Sequence, residues 1–82
     1  MKVIKFYSPT CGPCKVLEKN LSTAGIEHDS VNVIESSNSG LLDIYNVTSI
    51  PTLVVVKEDD SFKSYNGILS VEQLKEICNE ID

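Results

Sequence analysis

The chain has 82 residues, 41% of them hydrophobic, and carries a net charge of −5 from twelve acids against seven lysines, with no arginine. So short a chain makes one domain around one core. Its acidic balance disfavours nucleic acid, and no apolar run nears the ~20 residues that a membrane span needs. Met1-Lys2 leads at once into a strand-like segment instead of a secretory leader, so a cytoplasmic monomer with no membrane attachment is expected.

Residues 2–7 read as a strand whose apolar side chains Val3, Ile4 and Phe6 are all buried, because helices cover both faces of the sheet. Ser8-Pro9-Thr10 ends it. Residues 12–24 form an amphipathic helix with Cys14, Leu17, Leu21 and Ala24 on one face, and Gly25 stops it. A second strand covers residues 28–33. A short helix follows over residues 37–45, with Leu41, Leu42 and Tyr45 facing inward. Valine-rich residues 52–57 make a third strand, Glu58-Asp59-Asp60 a solvated turn, and residues 62–65 a fourth strand. Ser70 and Gln73 are spaced as a capping box, opening a helix whose stripe is Val71, Leu74, Ile77, Cys78 and Ile81. The order β-α-β-α-β-β-α predicts an α/β domain spanning residues 1–82: a small mixed sheet with helices on both faces.

Cys11-Gly12-Pro13-Cys14 lies at the first strand-to-helix junction. Two thiols at this spacing close a small disulfide and shuttle two electrons and two protons. Cys11 falls at the helix N-terminus, where unpaired N–H groups and the helix dipole favour a thiolate. Cys14, one turn further in, shares the apolar stripe and is the less exposed. Cys11 is therefore the attacking thiol and Cys14 the one that displaces the product. Gly12 lets a partner backbone approach the sulfur, and Pro13 is tolerated in a first turn, where it stiffens the spacing. Three cysteines are an odd count and argue against a structural disulfide framework. Cys78 is expected to be a small buried hydrophobe. His28 completes a Cys3His set only on paper, since His28 and Cys78 stand without the paired spacing of a structural zinc site. No metal and no cofactor are expected.

The stretch Phe6-Tyr7-Ser8-Pro9-Thr10-Cys11-Gly12-Pro13-Cys14-Lys15, the run Thr48-Ser49-Ile50-Pro51-Thr52 entering a strand, and the turn Asn66-Gly67-Ile68-Leu69-Ser70 together resemble the thioredoxin superfamily, in the right order along the whole chain. Within it the chain is more similar to thioredoxins than to glutaredoxins. The resemblance implies a four-stranded sheet of order 2-1-3-4, the first pair parallel and the last two antiparallel, without the N-terminal strand and helix of full-length members. It also implies a cis bond before Pro51, which turns the backbone of Ile50 towards the cysteines, and a substrate groove of Gly12, Pro13, Ile50, Pro51, Gly67 and Ile68.

Several positions depart from the family pattern. Thr10 stands where a tryptophan is usual. Lys5 occupies the place of a buried aspartate, and Ser30 falls near the place of that aspartate's lysine partner. Lys19 replaces a helix-kinking proline. Beneath the active site, the Lys5 charge would favour a Cys14 thiolate; alternatively Lys5 reaches solvent or pairs with an acid such as Glu18. Tyr7 lines the active-site side or packs. The implied activity is reduction of protein disulfides, recharged by a flavin-dependent thioredoxin reductase. The alternatives are a glutaredoxin-like redoxin serving a partner such as ribonucleotide reductase, and a non-catalytic zinc or interaction module.

Overall fold

In a computed structural model that describes residues 1–81, with side-chain surroundings through residue 79, β1 (Lys2–Tyr7) is followed by α1 (Gly12–Thr23) and β2 (Asp29–Asn32). A 3₁₀ turn at Ser36–Asn38 continues into α2 (Ser39–Ile44), and β3 (Thr52–Val56), β4 (Phe62–Asn66) and α3 (Val71–Ile81) complete the chain. The sheet order is β2-β1-β3-β4. β1 runs parallel to β2 and antiparallel to β3, and β3 runs antiparallel to β4. This is the order implied by the resemblance.

The strand periodicity sorts the central residues onto two faces. Val3, Leu53 and Val55 pack with Leu17 and Leu21 of α1, and with Leu69, Leu74 and Ile77 of the α3 region. Ile4, Phe6, Val31 and Val54 form the opposite layer, against Val33, Leu41, Leu42, Tyr45 and Val47. Each fully buried leucine contributes about 1.5–3 kcal/mol, so β1 and β3, covered on both faces, are the rigid centre of the domain.

Local signals set the helix ends. After α1, Gly25 takes φ +71. Its N–H donates to the Ser22 carbonyl and that of Ile26 to the Leu21 carbonyl, at 3.1 and 3.0 Å, the bond pair of a Schellman stop. Before α3 the expected capping box is formed: Ser70 N–H donates to Gln73 Oε1 at 2.9 Å, and Gln73 N–H to Ser70 Oγ at 3.1 Å.

Three expectations are corrected. α2 spans six residues instead of nine, and Leu41, Leu42 and Tyr45 are half-buried, because so short a helix covers only part of its face. β2 is confined to the four residues that pair with Ile4–Tyr7 of β1, its one neighbour. Cys78 is half-buried instead of buried, at the edge of the α3 stripe. The Ile81 side chain, expected on that stripe, lies outside the described residues. The acidic turn is a solvated one: Asp59 is exposed and accepts from the Ser61 hydroxyl and N–H at 2.6 and 3.1 Å. These bonds, the hydroxyl's first, hold the Asp59 carboxyl below the usual aspartate range.

Candidate active site

Cys11 is the N-cap of α1, in extended conformation (φ −86, ψ 108). Its Sγ accepts from the Cys14 N–H at 3.1 Å, so sulfur does the work a capping oxygen usually does. The Cys11 N–H in turn donates to the Ser8 carbonyl at 3.2 Å, closing the turn out of β1. Pro13 sits in the first turn of α1, where its missing N–H costs nothing. Cys11 and Cys14 are joined as a disulfide with Cα atoms 5.3 Å apart. Cys14 is 2% exposed and lies above the leucine stripe, whereas Cys11 is half-buried and Gly12 and Pro13 are exposed. The two sulfurs therefore differ in access as the helix position predicts.

The strand register brings three distant segments to one end of the sheet. Thr52 at the start of β3 pairs with Phe6 near the end of β1, and with Asn66 at the end of β4. The Cys11–Cys14 turn, Pro51 and Gly67 all leave from that end. The Ile50–Pro51 bond is cis. Gly67, at φ +85, donates its N–H to the Pro51 carbonyl at 2.9 Å, tying the two loops together. The Thr52 hydroxyl lies 2.6 Å from the Ser49 carbonyl and 3.0 Å from Asn66 Oδ1, fixing the Pro51 loop from behind. Ile50 is half-buried and lines a cavity of about 290 Å³ with Val33, Leu42 and Val47. Ile68 is 49% exposed. Thr10 is exposed beside Cys11.

Lys5 does not reach solvent. It is 3% exposed, its Nζ is 3.2 Å from Glu18 Oε1 and lies 5.0 Å from the centroid of the Tyr7 ring. Ser30 is its register partner on β2. Tyr7, half-buried, lines a cavity shared by Lys5, Cys14 and Glu18. Among the described residues no group of three or more His, Cys, Asp or Glu side chains is placed to hold a metal ion, and His28 meets only the Ile26 carbonyl through its Nδ1, at 3.2 Å. One supporting residue escaped the sequence reading. The Asn20 side-chain amide donates to the Leu69 carbonyl at 2.9 Å, fastening α1 to the turn that carries Gly67 and Ile68. The signal for it was a polar residue flanking Leu21 on the buried side of α1.

The chain matches the thioredoxin family model over residues 1–80. It belongs to the thioredoxin family. It is 34% identical over 79 residues to the thioredoxin of Bacillus subtilis, covering 92% of this chain and 76% of that one. A variant thioredoxin from Halobacterium salinarum superimposes with a TM-score of 0.78 at 28% identity, over 96% of this chain and 72% of that one. Thioredoxin 1 of Thermosipho africanus shares the fold at 18% identity, with a TM-score of 0.73 over 98% and 92% of the two chains. With the Cys11–Cys14 pair at disulfide distance, this member of the thioredoxin family is a dithiol–disulfide oxidoreductase.

Proposed function

We propose that the protein reduces disulfides of protein substrates in the cytoplasm and is recharged by a flavin-dependent thioredoxin reductase. The observation that carries the reading is the asymmetry of the two sulfurs: one caps α1 and is accessible, the other is 2% exposed. The Cys11 thiolate attacks one sulfur of the substrate disulfide. A Cys11–substrate bond forms, the substrate S–S bond breaks, and the departing sulfur takes the electron pair and a proton. Cys14 then attacks Cys11 Sγ, the intramolecular disulfide forms, and the second substrate thiol leaves. Two electrons and two protons pass to the substrate.

Gly12, Pro13, Ile50, Pro51, Gly67 and Ile68 make the substrate groove in this reading. Its support is the meeting of the three segments at one end of the sheet, where Gly12, Pro13 and Ile68 are exposed, Ile50 and Gly67 half-buried and Pro51 buried. Such a groove suits an extended protein segment. It offers no arginine for the carboxylates of glutathione. Insulin-disulfide reduction with alternative donors tests both claims. Turnover with a flavoprotein thioredoxin reductase and slow turnover with glutathione are expected. Efficient turnover with glutathione and glutathione reductase alone would favour the glutaredoxin-like alternative. No insulin reduction with either donor would refute general protein-disulfide reduction.

A further inference from the structure

Along the face of β1 that packs under α1 and α3, the side chains in order are Val3, Lys5 and Tyr7, so a lysine interrupts an otherwise apolar layer. Burying an ammonium is unfavourable without a partner. Glu18 supplies one from α1, four positions after Cys14 and therefore on the same side of that helix. The fold does not require a charge in this layer, and the Glu18 side chain is 56% exposed, so solvent screens part of the attraction that holds Lys5. What singles the pair out is its place: Lys5, Glu18, Tyr7 and the buried Cys14 line one cavity of about 100 Å³.

Resting on the exchange chemistry of Cys11 and Cys14, we propose that Lys5 is a positioning residue for the second half-reaction: its ammonium, held by Glu18, favours the Cys14 thiolate across this cavity. In the mixed disulfide Cys14 gives its proton to solvent, and the thiolate attacks Cys11 Sγ. The Cys14–Cys11 bond forms, the Cys11–substrate bond breaks, and the electron pair leaves on the substrate sulfur, which takes up a proton from water. A fixed positive charge beside a poorly hydrated sulfur offsets part of the desolvation that opposes ionisation. The other charged or titratable groups facing the cavity are the Tyr7 phenol from β1 and Lys15 from α1. The rest of this layer is Leu53 and Val55 of β3, Leu69 of the turn before α3, and Leu74 and Ile77 of α3, with the half-buried Tyr65 of β4 beside Leu53.

The test isolates Cys14 as the remaining thiol in a Cys11→Ser, Cys78→Ala protein and follows its thiolate absorbance with pH. Lys5→Met is expected to raise the Cys14 midpoint by about one pH unit, with Lys5→Arg restoring it. Lys5→Gln, which keeps a polar end in the cavity, gives the same rise and covers the case in which the methionine variant does not fold. With both active-site cysteines present, reaction with an aromatic disulfide separates the two steps. Lys5→Met is expected to slow release of the second aromatic thiol about tenfold below the Cys14 midpoint, leaving the first release unchanged. A Cys14 midpoint that does not move in either neutral variant would overturn the proposal. So would equal slowing of both steps, or slow second release in Glu18→Gln with normal release in Lys5→Met, which would make the carboxylate the operative group. The small aromatic disulfide reports exchange whatever the natural substrate is, so failure here is distinct from failure in the insulin assay.

Discussion

Reducing the Cys11–Cys14 disulfide should destabilise the fold by about 1 kcal/mol, and the sign of that change bears on the direction of electron flow. The two cysteines are three positions apart, and on the chain-entropy relation so short a loop contributes about 2 kcal/mol at 25 °C by restricting the unfolded chain. Reduction at neutral pH returns part of this, because a thiolate at the N-cap of α1 interacts with the helix dipole more strongly than a neutral sulfur, by about 0.3–1 kcal/mol. The oxidised protein therefore stays the more stable form. For a two-electron couple 1.4 kcal/mol corresponds to about 30 mV, so folding lowers the potential of the pair by roughly 20–30 mV relative to the unfolded dithiol, in the direction of a reductant. Urea unfolding of the oxidised and dithiol-reduced protein, monitored by far-ultraviolet circular dichroism, measures the gap directly. Acidification, which removes the thiolate, should widen it. A reduced form more stable than the oxidised one at neutral pH would refute the reasoning and would make the pair an oxidant.

Other consequences of the structure are open to direct measurement. Leu17, fully buried between α1 and the sheet, should lose about 2.7–5 kcal/mol on Leu17→Ala, seen as a large fall in the urea midpoint. Ser70→Ala removes the cap bond to Gln73 N–H and should cost about 1 kcal/mol in the same assay, with the reductase activity retained. Ser61→Ala should raise the Asp59 midpoint towards that of a free aspartate in an NMR titration, since the Ser61 hydroxyl is the main cause of its depression. A depressed carboxylate contributes stability above the ordinary aspartate range and loses it as pH falls through the lowered midpoint. The wild-type turn should therefore loosen on acidification more than the Ser61→Ala turn does.

The strands and long helices were legible because their signals are local. Short runs of adjacent apolar residues mark β1 and β3, the Ser70–Gln73 spacing marks α3, and the Cys-x-x-Cys at a strand end marks the site. The parts that were not legible depend on pairing between distant residues. The length of β2 follows from how far β1 reaches beside it, and α2 could not be sized from a polar segment with weak periodicity. Lys5 shows the limit most clearly. Its position on a central strand was evident, yet whether its ammonium reached solvent, met Glu18 or lay behind Cys14 depended on the placement of α1. It meets Glu18, and the two residues line one cavity with Cys14. The Asn20–Leu69 bond likewise spans 49 residues: a polar residue beside Leu21 marks one end, but nothing in the local sequence points to its partner.

The cap on α1 carries a conflict between durability and chemistry. An oxygen-bearing side chain is the better cap, and serine stands near the top of the preference at this position. Cys11→Ser would therefore improve the cap and leave the protein inert, but it would also remove the cross-link to Cys14. In the oxidised protein the lost disulfide, about 2 kcal/mol, outweighs the gain in capping, about 1 kcal/mol or less. Selection for stability under reducing conditions therefore pushes residue 11 towards the substitution that abolishes exchange, whereas under oxidising conditions it holds the cysteine in place.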